Sequence, residues 1–256
     1  MTEVVEKLPQ AMQEHTYGIM RQVEDSHWWF AGRRRILVSF LKDIAPKLEV
    51  EDPSILDVGC GTGANLEMLA EFGEAHGVDV SLDALNFCAD RGLENVHHGQ
   101  AEDLPFPDCS FDLATALDVI EHLDDDVAGL KEMRRVLKPG GYALLFVPAF
   151  MFLWGVQDDI SHHRRRYTIK QLRTAVQKAG FEVERATYAN LTFFSPILAG
   201  RLIMRITGLK PASENNINVS ALNGVFGRLL GAESYFLKKI NFPLGVSAIC
   251  VARRVG

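Results

Sequence analysis

The chain places Asp57-Val-Gly59-Cys-Gly61-Thr-Gly63 between a short apolar run and a helix-forming segment. Ser54-Ile55-Leu56-Asp57-Val58 reads as a buried strand, and Leu66, Leu69 and Phe72 recur at helical spacing after the glycines. Glycines at this junction let the backbone turn sharply and approach a ligand closely. A strand, a glycine turn and a helix in that order restrict the chain to an α/β fold with a parallel sheet. The spacing is G-x-G-x-G, whereas dinucleotide sites use G-x-G-x-x-G. An acid, Asp57, also precedes the glycines. A carboxylate there repels a pyrophosphate and suits a cationic ligand. S-adenosylmethionine (SAM), which carries a sulfonium and an ammonium and no phosphate, has that charge.

The pattern repeats downstream. Gly77-Val78-Asp79-Val80 reads as a second strand, and Ser81 as the cap of a helix bearing Leu82, Leu85 and Cys88. Asp79 follows Asp57 at about the 20-residue spacing of an acid that bonds ribose hydroxyls. Its alternative role is to cap the helix that begins at Ser81. Residues 111–117 read as a strand. Val127, Leu130, Met133 and Leu137 lie on one helix face, with a stop at Lys138-Pro139-Gly140-Gly141. Residues 142–147 read as the next strand. Thr168-x-x-Gln171 resembles a capping box that opens a helix closing at Gly180.

The run ILDVGCGTG…GVDVS…AEDLPFPDCSFDLATALDVIEHL…LKPGG resembles the class I SAM-dependent methyltransferases of the type 11 and ubiquinone-biosynthesis kind. The resemblance implies a doubly wound, Rossmann-like sheet of seven strands, one of them antiparallel. It implies a helical lid over residues 1–53, a SAM-binding core over 54–189, a helical insertion over 190–244 and a last core strand over 245–256. Asp57, Gly59, Cys60, Gly61 and Gly63 would hold the amino-acid part of SAM, and Asp79 with Val80 the ribose. Gln100, Ala101 and Glu102 would lie along the adenine, with Gln100 standing where many relatives have Asp. Asp118 would border the cofactor, whose product is S-adenosylhomocysteine. Trp28, Trp29 and Phe30 would cover the pocket, with Trp29 on the acceptor side.

Two polar segments fall at strand ends, where open α/β sheets bind ligands. Asp118-Val-Ile-Glu121-His122 resembles the E-x-x-E-H of metal-dependent 2′-O-methyltransferases, with Asp in place of the first Glu. The favoured reading has no metal; the alternative sets Asp118, Glu121 and His122 around Mg²⁺ or another divalent ion. The second segment, Asp158-Asp159-Ile-Ser-His162-His163-Arg164-Arg165-Arg166-Tyr167, carries an H-x-R-R-Y pattern similar to related sequences. His122 or His163 could act as general base, with Arg165, Arg166 and Tyr167 binding an anionic group of the substrate. Alternatively, the arginines pair with the two aspartates.

The net charge of −6 argues against a protein that relies on broad phosphate neutralisation, so no nucleic acid is expected. Cys60, Cys88, Cys109 and Cys250 form no C-x-x-C pair and read as reduced thiols, a cytoplasmic feature. Residues 1–10 lack the apolar stretch of a signal peptide. The longest apolar run, residues 142–156, contains Pro148 and is shorter than the ~20 residues of a membrane span. Residues 197–206 and 222–240 carry apolar stripes at helical spacing, suited to core burial, a pocket lid, a dimer face or peripheral membrane contact. The leading expectation is methyl transfer to a small molecule, with oxygen favoured as acceptor, by a monomer or homodimer. A nicotinamide-dependent oxidoreductase and a non-catalytic SAM-binding or membrane module are the competing classes. The acceptor itself is not legible.

Overall fold

The computed structural model describes residues 14–208 and 220–256. The expectation for residues 1–10 therefore lies outside the described residues. Two helices, α1 (Glu14–Val23) and α2 (Trp28–Ile44), precede the first strand. The alternating part follows as β1 (Ser54–Val58), α3 (Ala64–Leu69), β2 (Glu74–Asp79), α4 (Leu82–Asp90), β3 (Val96–His98), β4 (Phe111–Leu117), α5 (Asp126–Val136) and β5 (Leu137–Pro148). After β5 come α6 (Val156–Ile160), α7 (Ile169–Lys178), β6 (Phe181–Ala189), α8 (Phe194–Thr207), α9 (Ser220–Leu237) and β7 (Ser247–Arg254).

The seven strands form one sheet in the order β3-β2-β1-β4-β5-β7-β6. The first five pair in parallel, and β7 runs antiparallel to both β5 and β6. The order reverses between β1 and β4, so the loops after these strands diverge and leave a crevice at their carboxyl ends. Every residue of β4 is buried, as a central strand covered on both faces requires. Leu130, Met133 and Val136 of α5 and Leu172, Ala175 and Val176 of α7 supply apolar cover. Ile36, Leu37, Phe40, Leu41 and Ile44 of α2 are buried as well. Helix α9 lies directly on α2: a Cβ at Gly32 would sit 2.7 Å from Leu230.

The strands at 54–58 and 111–117 and the capping box of α7 stand where the sequence puts them. Boundaries differ elsewhere: β2 begins at Glu74, ahead of Gly77, α3 stops at Leu69, before Phe72, and α5 ends early. Helix α5 stops at Val136, and Leu137 already pairs with Phe111. Lys138 Nζ reaches Asp112 at 2.8 Å, and Gly140 takes φ +84° at a register irregularity between β4 and β5. The glycine pair thus bends a strand and does not end a helix.

Candidate active site

The crevice opens into a cavity of about 860 Å³. Its floor is the loop after β1. Gly59, Gly61 and Gly63 all hold positive φ (70°, 54° and 89°), so the spacing read from sequence reflects a backbone path that side chains resist. A Cβ on Gly59 would come within 2.5 Å of Val119, while the space beside Gly61 is open. Asp79, at the tip of β2, accepts the N–H groups of Gly61 and Ser81, both at 2.9 Å. Burial pushes the Asp79 carboxyl up, and those two N–H groups pull it back. Asp79 therefore ties β2 to the glycine loop and leads into α4, whose cap is Ser81.

The structure divides the expected cofactor set. Gly59, Cys60, Gly61, Asp79, Val80, Ala101, Glu102 and Asp118 line the cavity. Asp57, Gly63 and Gln100 are not among its lining residues. Gly63 packs against Leu93 and Cys88 at the start of α3, and Gln100 bridges to Asp103. Asp57 lies fully buried at the end of β1, where its Oδ1 accepts the Thr115 hydroxyl at 2.5 Å. Its Oδ2 has no hydrogen-bond partner among the described residues. Burial pushes its pKa up to about 7, against the partial opposition of Thr115. An orphaned carboxylate oxygen beside an open glycine turn, with Asp79 at the next strand end, fits a ligand that is cationic at one end and carries hydroxyls further on.

Helices α1 and α2 form the wall over this floor. Trp28, Trp29, Phe30 and Arg33 line the cavity, and Arg33 ion-pairs with Asp118 and donates to Asn65. Glu24, at the end of α1, accepts the Thr62 hydroxyl at 2.6 Å and pairs with Arg91 at 2.7 Å. Arg91 Nε also donates to the Thr62 carbonyl at 2.9 Å. The lid is thereby clasped to the glycine loop by a buried network absent from the sequence reading. Its sequence signal is faint: one acid ahead of the aromatic cluster.

The far end of the cavity holds His122 and His163, their rings edge-to-face at 4.7 Å between centroids. His163 Nδ1 lies 2.8 Å from Asp158 Oδ1, so a proton on Nδ1 is donated to that carboxylate and, in the neutral ring, Nε2 is the acceptor. Asp158 is fully buried and takes two further bonds from Arg166, at 2.8 and 2.9 Å, and one from the Gly155 N–H at 2.7 Å. Burial alone would raise its pKa; the bonds from His163 and Arg166 hold it well below the usual carboxylate range instead. His122 is driven down to about 3, by burial first and by His163 second.

Arg165 and Tyr167 leave the expected substrate set. Arg165 caps the carbonyls of Leu123 and Asp124, and the Tyr167 hydroxyl donates to Asp126 at 2.7 Å. Both lock the loop to the start of α5 and stand outside the cavity lining. Arg166 lines the cavity, but Asp158 occupies its guanidinium, as the structural alternative anticipated. The residue that sequence reasoning missed is Asp158 as the partner of His163. Its signal was the pairing of Asp158 with both His163 and Arg166 across one short loop.

The alternative metal set of Asp118, Glu121 and His122 is arranged differently. Asp118 is taken by Arg33, and the ligand atoms of Glu121, His122 and His163 lie within 4.8 Å of one another. Glu121 is fully buried, and neither carboxylate oxygen has a hydrogen-bond partner among the described residues. His163 Nε2 lies 3.9 Å from its Oε1. Burial, then the charge of Asp118, pushes Glu121 well above its usual range.

Comparison with known proteins agrees with this geometry. A family model described as a methyltransferase domain matches residues 56–145. A fatty-acid O-methyltransferase of Mycolicibacterium smegmatis is 35% identical over 165 residues, 61% of this chain and 58% of that enzyme. A demethylmenaquinone methyltransferase of Geobacillus kaustophilus is 32% identical over 166 residues, 58% of this chain and 69% of that enzyme. Among solved structures, a SAM-dependent methyltransferase of Thermotoga maritima aligns with a TM-score of 0.54 at 22% identity, over 94% of this chain and all of that one. A [4+2]-cyclase aligns with a TM-score of 0.51 at 24% identity, over 85% and 82% of the two chains. The fold alone thus does not fix the reaction.

Proposed function

The chain belongs to the class I SAM-dependent methyltransferases, and we propose that it methylates a hydroxyl group on an apolar small molecule. SAM, when bound, supplies a methyl group already activated by the sulfonium, so the protein must chiefly align the acceptor and remove its proton. The Gly59–Gly61 turn and Asp79 would hold the ligand's amino-acid and ribose parts, with Asp57 beneath the turn and Asp118 beside it. Trp28, Phe193, Ile197, Met204 and Phe226 give the remaining cavity an apolar wall. Acceptors with hydrocarbon character suit that wall, and two relatives, a fatty-acid O-methyltransferase and a demethylmenaquinone methyltransferase, point the same way.

The observation that carries the reading is His163. With Nδ1 committed to Asp158, its Nε2 is positioned to take a hydroxyl proton, and Asp158 offsets the charge that results. His122, with so low a proton affinity, is the weaker base. The test uses tritiated SAM, the purified protein and separate lipid and aqueous extracts, with the product identified by mass spectrometry. An ether in the lipid fraction, lost in His163→Ala while SAM affinity holds, is the expected result. Label on nitrogen or carbon, or a full rate in His163→Ala, would end the reading.

One observation favours a second reading, in which a divalent metal ion occupies this end of the cavity. A fully buried carboxylate without a hydrogen-bond partner, close to two imidazoles, is a costly arrangement unless a cation compensates it. Glu121, His122 and His163 would be the ligands, with Asp158 orienting His163 from behind. Two nitrogen donors suit Mn²⁺, Fe²⁺ or Zn²⁺ better than Mg²⁺. When bound, the ion would lower the pKa of an acceptor hydroxyl. Calorimetric titration of each metal into the apoprotein and into Glu121→Gln separates the readings. Saturable binding lost in the variant favours the metal; no binding leaves His163 as the base.

A further inference from the structure

Helix α8 has apolar residues on both sides. Ile197 and Met204, with Gly200 and Arg201, line the cavity. The opposite side carries Ala199, Leu202, Ile203 and Ile206, all exposed, with Ile206 at 85%. A helix that only roofs a pocket presents polar residues outward, because water covers that side. Beside it, Met151 and Phe152 are half-exposed, joined to α8 by the Arg205 guanidinium on the Phe152 and Trp154 carbonyls.

Helix α9 repeats the pattern. Its inner side packs Leu230 on α2 and sends Phe226 to the cavity. Leu222, Val225, Leu229 and Phe236 form an exposed stripe at helical spacing, continued by Ile240. Tyr235, 75% exposed, stands alongside. The two helices approach each other at the cavity mouth, where the Phe193 and Phe226 rings are 5.6 Å apart and both touch Trp28.

Among the described exposed residues of these two helices and the turn after α9, the charges have one sign. The chain carries −6 overall, yet the exposed charged residues of α8, of the described side chains of α9 and of the turn after it are Arg205, Arg228, Lys238 and Lys239. The acid of α9, Glu233, is 4% exposed and accepts the N–H groups of Asn190 and Thr192. A symmetric pairing of two copies through these helices would gather the basic residues of both copies in one interface, with no exposed acid among the described side chains of α8 and α9 to pair them. An anionic lipid surface answers both features: the stripes enter the acyl boundary while Arg and Lys reach the headgroups. An exposed tyrosine is at home at that boundary.

We propose that the outward faces of α8 and α9 dock on an anionic bilayer, setting the cavity mouth against the lipid. No helix among the described residues is long and apolar enough to cross a membrane, so the contact is peripheral. It deepens the reading of an apolar acceptor but does not depend on it, because docking is measured without turnover.

The experiment is co-sedimentation with vesicles of phosphatidylcholine alone and of phosphatidylcholine with 30% phosphatidylglycerol. SAM binding and the thermal melt serve as controls for folding. The expected result is binding to the anionic vesicles, weakened by salt and roughly tenfold or more weaker in Lys238→Glu/Lys239→Glu. Ile203→Glu/Ile206→Glu should abolish it with SAM affinity unchanged, since neither residue lines the cavity. Equal sedimentation with both vesicle types, or none with either while SAM still binds, overturns the proposal. So does a dimer in sedimentation velocity that Ile203→Glu/Ile206→Glu dissociates, since the stripes would then face a second copy.

Discussion

Replacing Asp57 with Asn should make the apoprotein less sensitive to alkaline pH. In the native state burial pushes the Asp57 carboxyl up to about 7, against 3.8 for an ordinary aspartate. Between those two values the folded protein holds a proton that the unfolded chain releases. Stability therefore falls as pH rises through this window, by about 1.4 kcal/mol per pH unit, and levels off above pH 7. From pH 5 to pH 8 the Asp57 contribution is a loss of about 3 kcal/mol. The Thr115 hydroxyl can still donate to Oδ1 of the asparagine, while its amide lacks an acceptor where Oδ2 stood. That defect costs about 1–3 kcal/mol, but equally at every pH. Urea denaturation of both proteins without SAM, at pH 5, 6, 7 and 8, isolates the slope, because every other titrating group cancels in the difference. The variant should gain about 3 kcal/mol on the parent across the series. Parallel stability profiles would refute the claim that this carboxyl is costly when ionised. On the proposed reading, in which Asp57 lies beneath the cofactor's ammonium, SAM affinity should move the opposite way, falling about tenfold or more. A stability gain coupled to a binding loss marks a group retained for function.

Three further outcomes follow from single contacts. Asp158→Asn removes the charge that pairs the buried Arg166 and one of its two acceptor oxygens, and should cost about 3–5 kcal/mol at pH 7, read by thermal melting. Because the Asp158 carboxyl is held low by His163 and Arg166 despite its burial, that stabilisation is present at neutral pH and fades as pH falls below the usual carboxylate value. The gap between the two proteins should narrow there. Gly59→Ala should destabilise by about 1–3 kcal/mol, since its φ is +70° and the new Cβ meets Val119 at 2.5 Å. Val119→Ala should recover part of that loss, and unchanged denaturation of the single variant would refute the steric account. Glu24→Ala leaves Arg91 and Thr62 without their shared acceptor, and should weaken SAM binding as well as lower the melting temperature. If only the melting temperature falls, the clasp between lid and loop has no part in holding the cofactor.

The parts legible in the sequence were those determined within a few residues. A strand, three glycines at positive φ and a helix are a local event, so β1, the turn and the start of α3 could be read from residues 54–69. The capping box at Thr168 and the buried strand at 111–117 are local in the same sense. The end of α5 was misread because the competitor for Leu137 lies far away in the chain, at Phe111. Arg165 and Tyr167, expected on the substrate, bond outside the cavity lining for a related reason. Their partners, the Leu123 and Asp124 carbonyls and the Asp126 carboxylate, lie some 40 residues upstream, and only the fold brings them together.

Asp57 and Asp158 show why a motif names residues more readily than it names their chemistry. Both are aspartates with fully buried side chains at the carboxyl side of the sheet, and burial acts on both in the same direction. Asp57 has one hydroxyl on Oδ1 and, among the described residues, nothing on Oδ2, so burial wins and its proton affinity rises. Asp158 has His163, Arg166 and the Gly155 N–H, so hydrogen bonding wins and the affinity falls. The first is a carboxylate waiting for a cation; the second is a fixed anion that holds a base in one tautomer. Glu121 extends the contrast, with burial as complete as either and no hydrogen-bond partner on either oxygen among the described residues. Asp57 and Glu121 thus carry oxygens unanswered among the described residues, and the energetic penalty falls as a positive group approaches. Asp57 sits beneath the turn that would hold the cofactor's ammonium, and Glu121 beside the histidines that would meet the acceptor. The apoprotein is therefore strained at both ends of the cavity, and ligands that bring positive charge to those ends are the ones it should bind most tightly.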